Sequence, residues 1–272
     1  MKSQQDKGLK RNTIDKFYTK PVIVGDCIEL IKAHLSIAKD NLVIEPSAGN
    51  GSFIEEIKKL SDHWLFFDIE PENSQITKQD FLELDCNMKY ENIHIIGNPP
   101  FGHNSSLAIK FIKKSCSFAK SISFILPKSF KKDSMKKYFT RNFHLVCETD
   151  LPENSFFVNN IECDVPCVFQ IWKYSDELRK DTVAKKPTQF TFVKKEDQPD
   201  ISFRRVGINA GTISKDVNKS YQSHYFIKFT NDKTIDENLD LLKNVYFSHN
   251  NTVGPKSISK QELISEFERL LN

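Results

Sequence analysis

The sequence predicts an α/β fold in which a mostly parallel sheet has helices on both faces, followed by a small C-terminal α+β subdomain. Short apolar runs alternate with stretches of helical period along the first two thirds of the chain. Short apolar strands that alternate with helices are typical of parallel sheets, because helices cover both faces. A polar, charged stretch at 175–188 then precedes the tail. We therefore expect a first domain over 1–178 and a second over 187–272.

Each element follows from the spacing of apolar residues, which distinguishes a helix of period 3.6 from a short buried strand. In chain order the predictions are a helix over 22–35, a strand over 41–45, a helix over 53–60, strands over 64–68 and 92–96, a helix over 106–120, a strand over 121–126, a short helix over 134–141, and strands over 144–149 and 166–172. The tail adds strand-like segments at 189–193, 201–208 and 223–229, and a final amphipathic helix over 260–271.

The composition excludes several classes of protein. The 272 residues are 39% hydrophobic and 28% charged, and they contain no apolar run of the roughly 18 residues that a membrane span needs. The polar N-terminus lacks the apolar core of an export signal. Six cysteines are scattered without the spacing of zinc ligands. We therefore expect a reduced cytoplasmic protein with no metal and no membrane partner; the oligomeric state is left open, and a monomer is plausible.

A glycine turn follows the predicted strand at 41–45. Gly49 and Gly51 allow a ligand to approach the backbone closely, and Glu45 at the strand end disfavours a pyrophosphate and suits an ammonium group. The next strand ends at Asp68, which is placed to accept hydrogen bonds from ribose hydroxyls. Asp80 and Phe81 then offer a carboxylate for an adenine amino group and a ring to stack on it. An amino acid joined to adenosine meets these demands, and S-adenosylmethionine is such a molecule.

A second motif, Asn98-Pro99-Pro100-Phe101, stands just past the strand at 92–96, where ligands bind in open α/β sheets. The two prolines remove N–H donors and leave carbonyl groups as acceptors. The Asn98 side-chain oxygen and the Pro99 carbonyl can both accept from one planar NH2 group. Such acceptors favour pyramidalisation of the amine and free its lone pair for attack on a sulfonium methyl, without a strong base. Phe101 can stack on a planar substrate.

Together these segments resemble the Rossmann-like class I S-adenosylmethionine-dependent methyltransferases, and among them the gamma-ordered N6-adenine DNA methyltransferases with an NPPF motif. Gamma order places the cofactor motif before the catalytic motif and the target-recognition part last. The resemblance implies catalytic roles for Asn98 to Phe101. It implies cofactor contacts for Tyr18, Thr19, Glu45, Ser47, Ala48, Gly49, Gly51, Asp68, Ile69, Asp80 and Phe81. Lys20 interrupts the family's usual first motif, which otherwise matches residues 15–21.

The distribution of charge favours a nucleic acid as the substrate. The net charge is only +3, yet residues 110–144 carry ten basic side chains and one acidic one, directly after the catalytic motif. Residues 21–109 carry six basic and 14 acidic ones. A polyanion held against the basic block would lie beside the catalytic motif. The predicted nucleic-acid contacts are Lys128, Lys131, Lys132, Arg204 and Arg205.

The substrate predicted first is adenine N6 in DNA. NPPF-type motifs also serve amino groups in RNA and the glutamine side chain of release factors, so both stay open as alternatives. A catalytically silent nucleic-acid-binding subunit is disfavoured, because the cofactor motif and the catalytic motif are both intact.

Overall fold

A computed structural model describes residues 16–85, 89–180, 184–247 and 256–272. The chain divides into two compact units, Met1–Lys180 and Asp181–Asn272. Within the described ranges, no helix has the length and apolar character to cross a membrane.

The first unit alternates strands and helices, as the apolar periodicity predicts. Its helices are α1 (Pro21–His34), α2 (Ile54–Leu60), α3 (Ser106–Cys116) and α4 (Asp133–Lys136). Its strands are β1 (Tyr18–Thr19), β2 (Leu42–Glu45), β3 (His63–Asp68), β4 (Thr77–Lys78), β5 (Ile93–Gly97), β6 (Ser121–Pro127), β7 (Phe143–Asp150), β8 (Phe156–Val158), β9 (Ile161–Cys163) and β10 (Cys167–Tyr174). The rigid φ of Pro21 suits the first turn of α1.

Seven strands form the central sheet in the order β4-β3-β2-β5-β6-β10-β7. All are parallel except β10, which pairs antiparallel with both β6 and β7. The prediction of a mostly parallel sheet is therefore confirmed. Ile95, Ile122 and Phe124 are fully buried in the sheet. Their burial explains why β5 and β6 are rich in apolar residues.

Two helix predictions are too long. The helix predicted to Lys120 ends at Cys116, because the Lys120 N–H donates to Ile93 O at 2.7 Å and already belongs to the pairing of β5 with β6. Of the helix predicted over 134–141, only α4 forms. Phe139 is instead fully buried, and its ring stacks on Trp172 at 4.0 Å.

A second, three-stranded sheet in this unit has the order β1-β8-β9 and was not predicted. Tyr18 pairs with Phe157 and Thr19 pairs with Phe156. The β8–β9 hairpin turns at Asn159 and Asn160, which both have left-handed backbone angles, with φ of 51° and 62°. Asparagine tolerates this conformation, which two-residue hairpin turns require. The sheet fixes residues 18–19 against a hairpin that lies about 140 positions later.

The second unit contains a four-stranded antiparallel sheet in the order β11-β14-β12-β13. Its elements are β11 (Phe190–Val193), β12 (Ile201–Arg204), β13 (Ile213–Ser214), β14 (His224–Phe229), α5 (Ile235–Leu242) and α6 (Lys260–Leu271). The predicted final helix is confirmed, and a capping box at Ser259 and Glu262 marks its start. Helix α5 was not predicted. The unit has its own apolar core, which includes Phe203 and Phe267.

Candidate active site

A cleft of about 1100 Å³, partly open to solvent, lies at the carboxyl ends of the parallel strands of the first unit. Residues 16–19 and the segments that follow β2, β3, β4 and β5 form its walls. Carboxyl ends of parallel strands meet at one edge of a sheet, so residues distant in sequence converge there. The predicted residues that line the cleft are Tyr18, Thr19, Glu45, Ser47, Ala48, Gly49, Asp68, Ile69, Asp80, Phe81, Asn98, Pro99, Pro100 and Phe101.

The turn after β2 depends on two glycines with different surroundings. Gly49 has a left-handed φ of 52°, and a Cβ added there would lie 3.2 Å from Tyr18 Cε1. Gly51, predicted as a cofactor contact, does not line the cleft. It has a φ of 89°, and an added Cβ would lie 2.7 Å from Ile54 Cδ1. Gly51 therefore shapes the turn, and Gly49 faces the cleft.

Asp68 at the end of β3 is oriented by backbone amides. Its Oδ2 accepts the Gly49 N–H at 2.8 Å, and its Oδ1 accepts the Glu70 N–H at 2.8 Å. Each carboxylate oxygen can accept a further hydrogen bond. The side chain therefore presents fixed acceptors beside the glycine turn.

Glu45 at the end of β2 is buried, with 2% of its surface exposed. Its Oε2 has no hydrogen-bond partner among the described residues. Burial, and then the negative charge of Asp68, raise the pKa of Glu45 to about 8. A Cβ at Gly97 would lie 3.2 Å from Glu45 Cγ, so the glycine permits this close packing. A buried, unpaired carboxyl in a cleft suits a cationic ligand group, which would favour the ionised form.

Asn98 follows β5, and its two amide ends have different environments. Its Nδ2 donates to Phe17 O at 3.0 Å and to Thr19 Oγ1 at 3.4 Å. Its Oδ1 is buried and has no partner within the described part of the chain. The Ser47 hydroxyl donates to the Asn98 backbone carbonyl at 3.2 Å. At a residue that lines the cleft, Asn98 therefore holds a buried hydrogen-bond acceptor without a partner, while its amide nitrogen is bonded to residues 17 and 19.

The predicted stacking rings are more buried than expected. Phe101 is 7% exposed, and its ring stacks on Phe17 with a centroid distance of 6.3 Å. Phe81 is 1% exposed and packs against Phe111 at 5.3 Å. Ile69, by contrast, is 53% exposed and supplies open apolar surface in the cleft. Phe81 thus forms part of the wall, and Ile69 offers more surface to a planar ligand.

The Asp80 side chain caps the short turn that follows it, because Oδ1 accepts the Leu82 N–H at 2.8 Å. This bond fixes the carboxyl group at the wall of the cleft near Phe81. A carboxylate oxygen held in this way remains able to accept from an amino group.

A charged cluster at the rim was not predicted. Lys16 Nζ lies 2.8 Å from Glu72 Oε1 and 3.2 Å from Glu70 Oε2. The Tyr18 hydroxyl donates to Glu72 Oε1 at 2.6 Å. Burial, and then Glu72, raise the pKa of Tyr18 to about 12. The contacts attach residues 16–18 to the segment after β3. The only sequence signal was the run of acidic residues after Asp68.

The basic block is partly neutralised. Lys128 Nζ lies 3.0 Å from Asp150 Oδ2, and Lys131 Nζ lies 2.9 Å from Asp150 Oδ1. Lys132 is half-buried. In the second unit, Arg204 donates to Val206 O at 3.3 Å, and Arg205 donates to Gln222 O at 2.9 Å. These contacts with the protein restrain the side chains that were predicted to bind phosphates.

No group of three or more His, Cys, Asp or Glu side chains in the described ranges could hold a metal ion. No protein-family model matches the chain. No curated protein matches it either.

Several solved structures are similar in fold. One is a Pyrococcus horikoshii protein assigned as an RNA methyltransferase, with 14% identity, 62% of this chain and 92% of that chain covered, and a TM-score of 0.48. Another is a Listeria monocytogenes protein assigned as a class I S-adenosylmethionine-dependent methyltransferase, with 17% identity and a TM-score of 0.46. The match covers 66% of this chain and 65% of that chain. A third is a modification subunit assigned to a type I restriction enzyme of Vibrio vulnificus, with 14% identity, 88% and 55% covered, and a TM-score of 0.45.

The first unit has the Rossmann-like fold of class I methyltransferases. The features of this fold are the strand order β4-β3-β2-β5-β6-β10-β7 and the single antiparallel strand, β10. The fold prediction is therefore confirmed. Many unrelated functions occur on one fold, so the function of this chain depends on its site residues.

Proposed function

We propose that the protein is an S-adenosylmethionine-dependent methyltransferase that acts on the exocyclic amino group of adenine (N6), with DNA as the favoured substrate. The observation that carries the proposal is the buried Asn98 Oδ1, which has no partner among the described residues and belongs to a residue that lines the cleft. A buried acceptor without a partner is costly, so a ligand that donates to it has a clear energetic advantage.

The cleft residues fit the cofactor part by part. Glu45, with its unpaired buried oxygen, would bind the ammonium group. Asp68 would accept from ribose hydroxyls, and Asp80 would accept from the adenine amino group beside the apolar surface of Ile69. When bound, S-adenosylmethionine supplies an electrophilic methyl group on a sulfonium centre.

The protein itself would accept hydrogen bonds from the substrate amine and orient the amine for the transfer. Asn98 Oδ1 and the Pro99 carbonyl would accept the two N–H groups of the substrate amine. Their partial negative charge favours a pyramidal nitrogen, whose lone pair then points at the methyl group. The N–C bond would form as the S–CH3 bond breaks, which leaves a neutral thioether. The nitrogen, positively charged at that stage, would then lose a proton to solvent, so no strong base is needed for the attack. Phe101, held against Phe17, would border the planar substrate.

The surface chemistry supports a nucleic acid over a protein substrate. Besides Lys128, Lys131 and Lys132, the basic block carries side chains exposed to solvent, namely Lys110, Lys113, Lys120 and Lys137. Lys128 and Lys131 follow the carboxyl end of β6, the edge of the sheet at which the cleft lies, and so suit phosphate contacts that would hold a strand whose target base has been flipped out of the helix. Lys120 directly precedes β6 and stands at the opposite edge.

We assign the second unit to target recognition. One of its clefts combines a cation with aromatic rings: Lys260 Nζ lies 4.4 Å from the Phe192 ring centroid and 5.8 Å from that of Tyr225. Arg205 does not line this cleft, but its Cζ lies 5.4 Å from the Tyr225 ring centroid. Stacking surfaces beside cations are a common means of binding nucleic-acid strands. Arg204 and Arg205 on this unit would contact phosphates.

The experiment is methyl transfer from S-adenosylmethionine carrying a labelled methyl group, with duplex DNA, single-stranded DNA, RNA and a release factor offered in parallel. Digestion to nucleosides and mass spectrometry locate the label. We expect label on adenine N6 in DNA. Label confined to RNA would identify the RNA enzyme, and label on a glutamine side chain would overturn the nucleic-acid proposal. The absence of label on all four would overturn the proposed function.

A further inference from the structure

The start of helix α3 borders the cleft, and an exposed basic surface leads away from it. Leu107 and Phe111, four positions apart on this helix, both line the cleft. Lys110 stands between them in sequence and is exposed, and Lys113 is exposed about one turn further along. Residues three positions apart are neighbours on a helix surface, so the two lysines form one row. The helix advances about 9 Å from Leu107 to Lys113, so the row starts beside the cleft and runs away from it.

The surface continues from α3 onto the residue that follows α4. Tyr138 is half-buried, and its ring contacts an ammonium group from each side. Lys113 Nζ lies 5.7 Å from the ring centroid, and Nζ of Lys137, which is also exposed, lies 5.4 Å from it. A contact between a cation and a ring leaves the positive charge in place. Two such charges at one ring raise the local positive potential, which attracts an anion.

These three lysines, Lys110, Lys113 and Lys137, are called the α3 track below. They differ from other lysines of the basic block, which have acidic partners: Lys131 pairs with Asp150, and Lys136 Nζ lies 3.0 Å from Glu148 Oε2. Within the described ranges, no carboxylate forms an ion pair with a lysine of the α3 track. The positive charge of the track is therefore available to a partner.

A polynucleotide continues past its target nucleotide, so a strand whose adenine enters the cleft must leave across the border of the cleft. Each DNA strand carries one negative charge per roughly 3.4 Å of helix axis, so the stretch of about 9 Å along α3 matches roughly two or three phosphates. We propose that the α3 track binds the phosphates of the DNA that flanks the target adenine. The inference rests on the proposed function of the cleft. It adds a binding surface outside the cleft, which holds the flanking DNA and does not touch the reacting base.

The test is DNA binding by the full chain, measured by fluorescence anisotropy with a labelled duplex of mixed sequence at several salt concentrations. The test variant combines Lys110→Gln, Lys113→Gln and Lys137→Gln. A second variant places arginine at the same three positions and so keeps the charge. Methyl transfer to the same DNA gives kcat and KM for each protein, and thermal unfolding shows that each variant is folded.

The matched control combines Lys32→Gln, Lys39→Gln and Lys59→Gln. These lysines belong to the same unit and are exposed, but each pairs with a carboxylate, at 2.8, 3.7 and 2.6 Å respectively. The control therefore changes the net charge by the same amount as the test variant and leaves the α3 track intact.

We expect the slope of log K against log salt concentration to fall in magnitude by about 0.9 for each lysine of the track, and hence by about 2.7 in the test variant. The control and the arginine variant should keep a slope close to that of the wild type. Because the track does not touch the reacting base, KM for DNA should rise in the test variant while kcat stays unchanged.

An unchanged slope in the test variant would overturn the proposed role of the α3 track, and so would an equal fall in the control. Tighter binding of poly-glutamate than of DNA, lost in the test variant, would also overturn it, because the partner would then be an acidic protein. An unchanged slope together with methylated adenine in DNA would overturn the track alone. A reduced slope together with methyl transfer only to a protein glutamine would overturn the proposed function and leave DNA binding by the track in place.

Discussion

Replacing Glu45 by glutamine should stabilise the protein without ligand and weaken cofactor binding. The folded protein raises the pKa of Glu45 from 4.5 to about 8. The native state therefore binds more protons than the unfolded state between these values, and stability falls as pH rises through this window. At pH 7, which is roughly 2.5 units above the pKa of the unfolded state, this loss of stability amounts to about 3 kcal/mol. Glutamine carries no charge in either state, so Glu45→Gln should raise the free energy of unfolding at pH 7 by up to about 3 kcal/mol.

Protonation of Glu45 also opposes the binding of the cofactor's ammonium group. Glu45 must ionise to pair with an ammonium group, so wild-type affinity for S-adenosylmethionine should rise about tenfold per pH unit between roughly pH 5.5 and 7.5. The amino group of the ligand stays largely charged there, because α-amino groups titrate at about 7.7–8.0. Glu45→Gln should bind more weakly at pH 7.5 and show little dependence on pH.

Chemical denaturation at pH 7 and pH 4.5, with calorimetric titration of the cofactor across the pH range, measures both effects. The gain in stability should vanish at pH 4.5, where the wild-type carboxyl is protonated in the native state and half protonated in the unfolded one. Equal stability of the two proteins at pH 7, or the same pH dependence of cofactor affinity in both, would refute the reasoning.

Three further outcomes are expected. His94 is buried, contacts Ser121 Oγ through Nδ1 at 2.7 Å, and has its pKa lowered to about 4 by burial. The free energy of unfolding of the wild type should therefore fall by up to about 3 kcal/mol as the pH drops from roughly 6.5 to 4, and that of His94→Gln should not. Chemical denaturation at several pH values measures both, and the same pH dependence in the two proteins would contradict the prediction. Gly49→Ala, at a φ of 52°, should destabilise the turn by about 1 kcal/mol and raise the cofactor Kd in titrations, whereas unchanged binding would exclude a strained contact there. Lys131→Gln should reduce the magnitude of the slope of log K against log salt concentration for DNA binding by about 1. Asp150→Asn should tighten DNA binding, because Asp150 is the ion-pair partner of Lys131. An unchanged slope in Lys131→Gln would show that Lys131 does not contact a phosphate.

The sequence predicted the parts of the site that depend on strand ends. Glu45, Asp68 and Asn98 each stand at or just after an apolar run, and parallel strands bring such positions to one edge of the sheet. The apolar pattern along the chain was sufficient because these strands are short and mostly apolar. The bounds of the final helix were equally predictable from its capping box and apolar stripe.

Other features required contacts between distant residues. The direction of the Asn98 amide depends on the Phe17 carbonyl and on the β8–β9 hairpin, and neither leaves a periodic signal near Asn98. The burial of Phe81 against Phe111 is also a tertiary effect. In the basic block, Asp150 pairs with two lysines from a position about 20 residues later, so counting charges along the chain overstated the free positive charge.

The role of Asn98 as the acceptor for the substrate amine is tested most directly by methyl transfer with the Asn98→Ala variant, measured in single turnovers beside the Kd for S-adenosylmethionine. Loss of a preorganised polar contact to the reacting group lowers rates by about 10²–10³-fold in comparable sites. We expect a loss of at least about a hundredfold in the transfer rate with an unchanged cofactor Kd, and an unfolding transition that shows the variant to be folded. Transfer at close to the wild-type rate would contradict the proposed role of Asn98.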